Sequence, residues 1–506
     1  MTQLFQASTL YQVASLAAMI DAGAVPEDGD RVLCVVDSTR QPELVPGITG
    51  ATGFEELASR FDRVINLGEF IRPLRPHQFS PRQVEAPMWR QLFCKYFDLP
   101  LTQPGHASEI SLWLESLQVN PGRALATVFH DAPITVHADG LMAYGPLRDP
   151  LPIEIGSRLD RVVHLDIVPG LKPLYGAEWG AASDAVGLEH FTRVIDAWAN
   201  KVEPSAACAS IMASGKPAGL ILGQYLNELR LITDEEEHEL TTRMAQAALD
   251  AGAGVIAFKP HPSASYTSRI VTREVVESLG LEYVEITDTV PAEIVATWIK
   301  PVVAVSIFST ALATLRYGYN IPAVAVGAED VIHNLNPYPN SNRVPVMLAD
   351  ALFHRGIPAP ADDPSKEGRL QALLNTVAYT MQPERMKALY PEAFEFCTSD
   401  PELRKLYLRK TRLYQLNLMK TNPTNTYERL VGHLGNAMGA KNFNALKNKV
   451  QTSKLLKVPS KAAVKALSAL GNRNAQGNRK AQGNRTAQGN RTAQGNRKPP
   501  GHQKQQ

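Results

Sequence analysis

Three short motifs in the 506-residue chain hold side chains that can do chemistry. Phe258-Lys259-Pro260-His261-Pro262 follows an apolar run directly, which sets its lysine and histidine at the end of an expected strand. A histidine that titrates near neutrality, beside a fixed cation, suits a site holding a departing phosphate. The two prolines stiffen the loop that presents them. A proline-rich turn with an incidental surface histidine has the same composition. Ser306-Ile307-Phe308-Ser309-Thr310 ends a second apolar run and opens a helix expected over 311–317. Ser309 stands where an N-cap would, and the unpaired N–H groups of a helix start bind phosphate. Capping alone is the commoner use of serine and threonine there. The 48 positions from His261 to Ser309 leave room for one βαβ unit, so both loops can line one sheet edge. The third motif, His137-Ala138-Asp139-Gly140-Leu141, ends another apolar run, with Tyr144 close behind. Asp-Gly is by default a turn. Read functionally, Asp139 is a general base facing the phosphate loops, which requires desolvation to lift its carboxyl above a reference pKa of about 3.9.

The elements that carry these motifs read as two α/β halves. Ser8 is placed to cap a helix from about Leu10 to Ala22, ended by Gly23. Apolar runs at Arg31–Val36, Arg63–Leu67, Ala124–Phe129, Ile134–Val136 and Arg161–Leu165 are expected strands. A second series begins near Ser214: Leu220–Leu222 running into Gly223-Gln224, then Val255–Phe258, Tyr283–Ile286, Val302–Ser306 and Ala323–Val326. After Gln224 comes a helix with Asp234 and three glutamates at its start, where the macrodipole favours them. Strands interleaved with helices predict parallel βαβ sheets, with ligands at the carboxyl ends of the strands. The expected class is α/β: a Rossmann-like lobe over 1–210, another over 211–382, a helical segment over 383–440 and a tail over 441–506.

Composition bounds the rest. With 44% hydrophobic and 20% charged residues the chain is ordinarily globular. Cys34, Cys94, Cys208 and Cys397 have no CxxC spacing, so neither a disulfide framework nor a zinc site is expected, and a reducing compartment is. No positive n-region precedes the first apolar stretch, which Asp21 interrupts, and no window supplies the roughly 18 uncharged apolar residues of a membrane span. A cytoplasmic protein is expected. The net charge of +2 hides a division, because 441–506 holds 15 Lys and Arg and no Asp or Glu, leaving 37 basic against 50 acidic residues upstream. From Gly471 the tail repeats A-Q-G-N-R-x with a period of six, too polar to bury a core, and reads as disordered. Its charge points to an anionic partner.

Together the motifs resemble those of the bacterial sialyltransferases of GT-B architecture, most closely the polysialyltransferase family. That family shows an acidic-acidic-Gly motif in the first lobe, then a His-Pro and a Ser/Thr motif in the second. Here they stand as A-D-G at 138–140, K-P-H-P at 259–262 and S-I-F-S-T at 306–310, in the same order. S-T-L-Y-Q at 8–12 is similar to the family's first strand-to-helix loop, and the resemblance covers about residues 5–330. It implies an inverting, metal-independent transferase without a cofactor, moving sialic acid or a related sugar acid from a CMP-activated donor to a glycan acceptor that can be lipid-linked. Asp139 would deprotonate the acceptor hydroxyl, and His261 would stabilise or protonate the leaving CMP phosphate. Ser309 and Thr310 would hold that phosphate, Lys259 would contact cytosine and Glu293, in P-A-E at 291–293, the ribose. Gly223 and Gln224 complete the donor-binding set. The family's first acidic position is Ala138 here, which leaves one carboxylate and leaves the donor and acceptor open. The tail would hold the enzyme on the anionic inner face of the cell membrane, and nucleic acid is not an expected partner. Two rival readings remain: a CDP-glycerol or polyol-phosphate transferase, which the A-D-G motif disfavours, and a non-catalytic polyanion binder working through the tail.

Overall fold

The computed structural model describes residues 1–37, 47–102, 106–227, 231–261, 264–365 and 368–419. Met1–Leu408 form one compact unit and Arg409–Gln506 a second, in which the helix Lys410–Gln415 is described. The expected basic tail, its proposed membrane contact and the last part of the expected helical segment lie outside the described residues.

The first unit contains two wholly parallel sheets. Seven strands make the first: β1 (Thr2–Ala7), β2 (Asp30–Val35), β3 (Arg63–Asn66), β4 (Ile110–Leu114), β5 (Ile134–Ala138), β6 (Leu159–Leu165) and β7 (Ala182–Val186), in the order β3-β2-β1-β4-β5-β6-β7. Five make the second: β8 (Ala218–Leu222), β9 (Val255–Lys259), β10 (Glu282–Glu285), β11 (Val303–Ser306) and β12 (Ala323–Ala325), in the order β10-β9-β8-β11-β12. These are the two Rossmann-like lobes of a GT-B layout. The central strands are buried because helices cover both faces; every residue of β1, β5 and β8 is inside, Gln3, Gln6 and His137 included. In each sheet the chain starts at the centre, winds outward on one side and then crosses to the other. Strand order therefore reverses between β1 and β4 and again between β8 and β11, and such reversals open crevices at the carboxyl ends of the strands. All three motifs leave strands at those ends.

Several local readings change. Ala124–Phe129, expected as a strand, belongs to the helix Gly122–Val128. Its outward residues are Arg123, Thr127 and His130, a helical spacing that an unbroken apolar run conceals. Ser8 does not cap the helix Leu10–Asp21; the hydroxyl of Thr9 accepts from Gln12 N at 3.1 Å instead. β1, β4 and β7 were not anticipated, and β7 (ASDAV) is an exposed edge strand with no apolar run to betray it.

The lobes share packing. The helix Leu188–Ala199, which follows β7, packs against the helix Leu10–Asp21 of the first lobe and the helix Ala292–Ile299 of the second. After the second sheet, the helix Arg343–Phe353 packs on the turn Leu141–Tyr144 just beyond Asp139. The chain then reaches the first lobe again: Lys172 N donates to Gln371 Oε1 at 2.8 Å, and Gln382 Nε2 and Arg385 Nη2 donate to Arg148 O at 2.7 and 2.8 Å. No helix among the described residues is long and apolar enough to cross a membrane.

The turn between β4 and the helix Gly122–Val128 has no space to spare. A Cβ at Gly122 would come 2.1 Å from Ser116 O and 3.4 Å from Gln6 Oε1. Gly122→Ala is expected to cost about 1–3 kcal/mol, as overpacked interiors do. Urea denaturation checks this, and an unchanged midpoint would show that the turn yields freely.

Candidate active site

Asp139 is the first residue past β5, at the carboxyl edge beside the β1/β4 reversal. It is half-buried. Burial pushes its carboxyl up to about 6, and the nearby negative charge of Glu115 pushes the same way. Hydrogen bonds from its own backbone and from the Gln12 side chain favour the charged form and hold the rise in check. Two residues earlier, His137 is fully buried and its Nε2 donates to Gln6 O at 2.7 Å. Burial lowers that imidazole to about 4, so it is a neutral strut and not a charge partner.

The loop after Asp139 touches the second lobe. Leu141 N donates to Thr310 Oγ1 at 3.3 Å, and a Cβ at Gly140 would come 3.1 Å from the same oxygen. The A-D-G and Ser/Thr motifs, 169 residues apart in sequence, are thus in contact. Ser309 accepts from Ala311 N at 3.3 Å, which places its hydroxyl over the start of the helix Ala311–Gly318. Ser306 is buried and donates to Leu222 O at 2.9 Å, so it ties β11 to β8.

The remaining second-lobe residues gather at the ends of β8 and β9. Gly223 N donates to Lys259 O at 2.9 Å. A Cβ at Gly223 would meet the Phe258 ring at 2.9 Å and Pro260 Cα at 3.2 Å, which explains the glycine. Gln224 Oε1 is buried with no hydrogen-bond partner among the described residues, an acceptor that an N–H of a ligand would satisfy. His261 is half-buried and lies against the Tyr225 ring with centroids 4.3 Å apart. Lys259 Nζ donates to Asp288 O at 2.7 Å, and burial lowers its pKa. An ammonium has three N–H groups, so this contact leaves donors to spare.

Glu293 lies deeper than a surface contact. It is 1% exposed, its carboxylate accepts from the Thr314 hydroxyl, and burial raises its pKa. Its charge acts on Tyr11, as does that of Asp139. Tyr11 therefore feels the charge of an acid from each lobe. Its ring packs on Phe191 with centroids 5.1 Å apart, and its hydroxyl is buried without a partner among the described residues. Burial drives the phenol well above its usual range.

The structure thus brings Gly140 and Leu141, the residues after Asp139, against Thr310, with Ser309 beside it, and brings Gly223, Lys259 and His261 together on the neighbouring strand ends. Sequence reasoning missed Glu115 and the roles of Tyr11 and Gln12. The signal for Glu115 was present: a carboxylate directly after the apolar run Ile110–Leu114, as Asp139 follows Ile134–Ala138. One group among the described residues has metal-ligand reach, Glu329, Asp350 and His354, and no motif residue belongs to it. Its carboxylates already hold Arg243 at 2.8 Å and Arg355 at 2.6 Å.

Residues 3–328 match the model of the alpha-2,8-polysialyltransferase family, the same stretch that carries the motifs. The chain belongs to the alpha-2,8-polysialyltransferase family. It is accordingly a glycosyltransferase, for which a sugar donor and a glycan acceptor are the partners. No curated protein sequence matches it. Solved structures similar to this family member include the GT-B domain of a sialyltransferase from Photobacterium damselae (10% identity, 71% of this chain and 97% of that chain, TM-score 0.36). Others are S. aureus MnaA with UDP (13%, 84% and 98%, TM-score 0.38) and UDP-N-acetylglucosamine 2-epimerase from Rickettsia bellii (10%, 81% and 100%, TM-score 0.39).

A raised carboxyl carries a stability cost with a definite sign. The folded polysialyltransferase-family chain binds the Asp139 proton more tightly than the unfolded chain does. Stability is therefore highest below the unfolded pKa near 4 and falls as pH rises through about 6. Asp139→Asn removes the ionisation and is expected to be more stable than the parent at pH 8 by about 2 kcal/mol, with the gap closing near pH 4. Urea midpoints at the two pH values check it; a gap that widened on acidification would contradict the assignment.

Proposed function

We propose that this family member transfers a sialic acid or related sugar acid from a CMP-activated donor to a glycan hydroxyl, with inversion at the anomeric carbon. The observation that carries the reading is the half-buried Asp139 carboxyl of raised proton affinity, meeting the Ser/Thr loop of the other lobe through Leu141 and Thr310. In the reaction the acceptor oxygen bonds to the anomeric carbon while its proton passes to Asp139. The bond from that carbon to the phosphate oxygen breaks, and CMP leaves with the electron pair. A pKa of about 6 leaves Asp139 ionised at neutral pH yet more basic than an exposed carboxylate, which suits a general base.

CMP binds in this reading along the carboxyl ends of β9, β8 and β11. Its phosphate lies at the start of the helix Ala311–Gly318, where the hydroxyls of Ser309 and Thr310 and the positive end of the helix dipole receive it. His261 meets the leaving oxygen, braced by the Tyr225 ring. Lys259 supplies positive charge nearby, so the scheme contains no metal. Gln224 Oε1 is a ready acceptor for an amino group on the base. Glu293, whose carboxylate is buried against Thr314, supports the pocket wall from behind, and a ribose contact would require that hydrogen bond to be exchanged.

Asp139→Asn is expected to lower transfer by about 10²- to 10⁴-fold while CMP affinity stays near the parent value. His261→Ala should lower both, because the same side chain meets the phosphate before and during the reaction. Calorimetry with CMP and transfer assays with a CMP-activated donor measure the two effects. Parental turnover by Asp139→Asn would remove it as the base, and unchanged CMP affinity in His261→Ala would place the nucleotide elsewhere.

A further inference from the structure

Ala138 leaves the A-D-G loop with one carboxylate, yet this edge of the first lobe holds two. β4 runs parallel to β5 with Leu114 level with Val136, so Glu115, the first residue past β4, emerges at the same carboxyl edge as Asp139. Its side chain is held from β1's side of the crevice. Ser8 Oγ donates to Glu115 Oε1 at 2.9 Å, and Ser8 N donates to Gln12 Oε1 at 2.7 Å. With its oxygen occupied, the Gln12 amide has its N–H groups left to donate, and the Asp139 carboxylate receives one. Gln6, in β1, joins them: its Nε2 donates to Ser8 Oγ at 3.0 Å and its Oε1 accepts from Glu115 N at 3.2 Å. Ser8 thus holds Glu115 directly and Gln12, which acts on Asp139, through its backbone N–H.

We propose that Glu115 is the second carboxylate of this site, a positioning residue just past β4 that tunes Asp139 through space, with Ser8 holding it in place and Gln12 acting in opposition. The proposal rests on Asp139 being the base. Its physics is that of two carboxylates sharing a partly dry site, where the charge of one raises the proton affinity of the other. A hydrogen bond to the ionised form does the reverse. The other groups facing Asp139 bring no competing charge between pH 5 and 8. Tyr11, from the helix Leu10–Asp21, is kept protonated by its burial; His137, two residues back, is kept neutral. Thr310, from the second lobe, offers only a hydroxyl. Glu293 is buried against Thr314 and is not among the charges that act on Asp139. Glu115 takes no proton in the step: the acceptor's proton ends on Asp139, and Glu115 alters only how readily it goes there.

The test is the pH dependence of kcat/KM in the full-length protein with a CMP-activated donor, whose acid limb reports the free-enzyme base. The parental limb is expected near pH 6. Glu115→Gln should move it down by about half a unit to one unit and lower the plateau about threefold, as a weaker base transfers the proton more slowly. Glu115→Asp should restore it towards the parental position. Gln12→Met should move it the opposite way, upward, which a merely structural role for this network would not produce. A folded Glu115→Gln variant with an unmoved limb overturns the proposal. If that variant does not fold, the Gln12→Met limb decides, and its failure to rise overturns the proposal equally. Parental turnover in Asp139→Asn would instead remove the base reading itself, so the two failures are told apart.

Discussion

Partial dehydration of the Asp139 carboxyl is the condition on which the rest of the site depends. In water the group would be a weak base, and buried without partners it would stay protonated at neutral pH. The structure holds it between these limits. β5 delivers it to the edge of the sheet, burial lifts its proton affinity, and the Gln12 amide favours the charged form. Gly140 follows from the same condition, because a side chain there would press on the Thr310 hydroxyl. The contact between lobes is therefore part of the carboxyl's environment as well as a joint between domains.

The second lobe is built differently. There the backbone does most of the organising: Gly223 bonds to Lys259 O, Ser306 reaches across to Leu222 O, and Ser309 turns onto the first turn of its own helix. The side chains this leaves at the strand ends, His261, Lys259 and Gln224, are the ones suited to an anionic nucleotide. One lobe thus offers a half-buried carboxyl of raised proton affinity, and the other offers donors and positive charge.

Much of this was legible in the sequence because the motifs are local. A run of apolar residues ending in K-P-H-P, S-I-F-S-T or A-D-G states both the strand and the chemistry at its end, and all three stand at carboxyl ends of parallel strands. The membership in the polysialyltransferase family was readable from the same residues. Failures came where meaning depends on distant partners. Ala124–Phe129 is apolar enough for a strand, but its exposed positions recur at helical spacing, which shows only once the sheet behind it is known. Ser8 looked like a helix cap, yet its hydroxyl goes to Glu115, 107 positions away. Glu115 itself carries no local mark beyond its place after an apolar run. Glu293, expected as a ribose contact, is buried and accepts from Thr314, on a helix that starts 18 positions later.

The route of the backbone also limits how the crevice can work. The chain passes from the first lobe to the second after β7, and after the helix Arg343–Phe353 it returns, to be fastened by Gln371, Gln382 and Arg385 onto carbonyl and amide groups of residues 148 and 172. Two bodies joined by one tether can swivel freely about it. Joined by two, they keep a single easy degree of freedom, rotation about the line through both crossings, like a door on two hinges. Twisting or sliding would strain one crossing or the other. Any movement between the lobes would then retrace one arc, which brings Thr310 back to the same contact with Leu141.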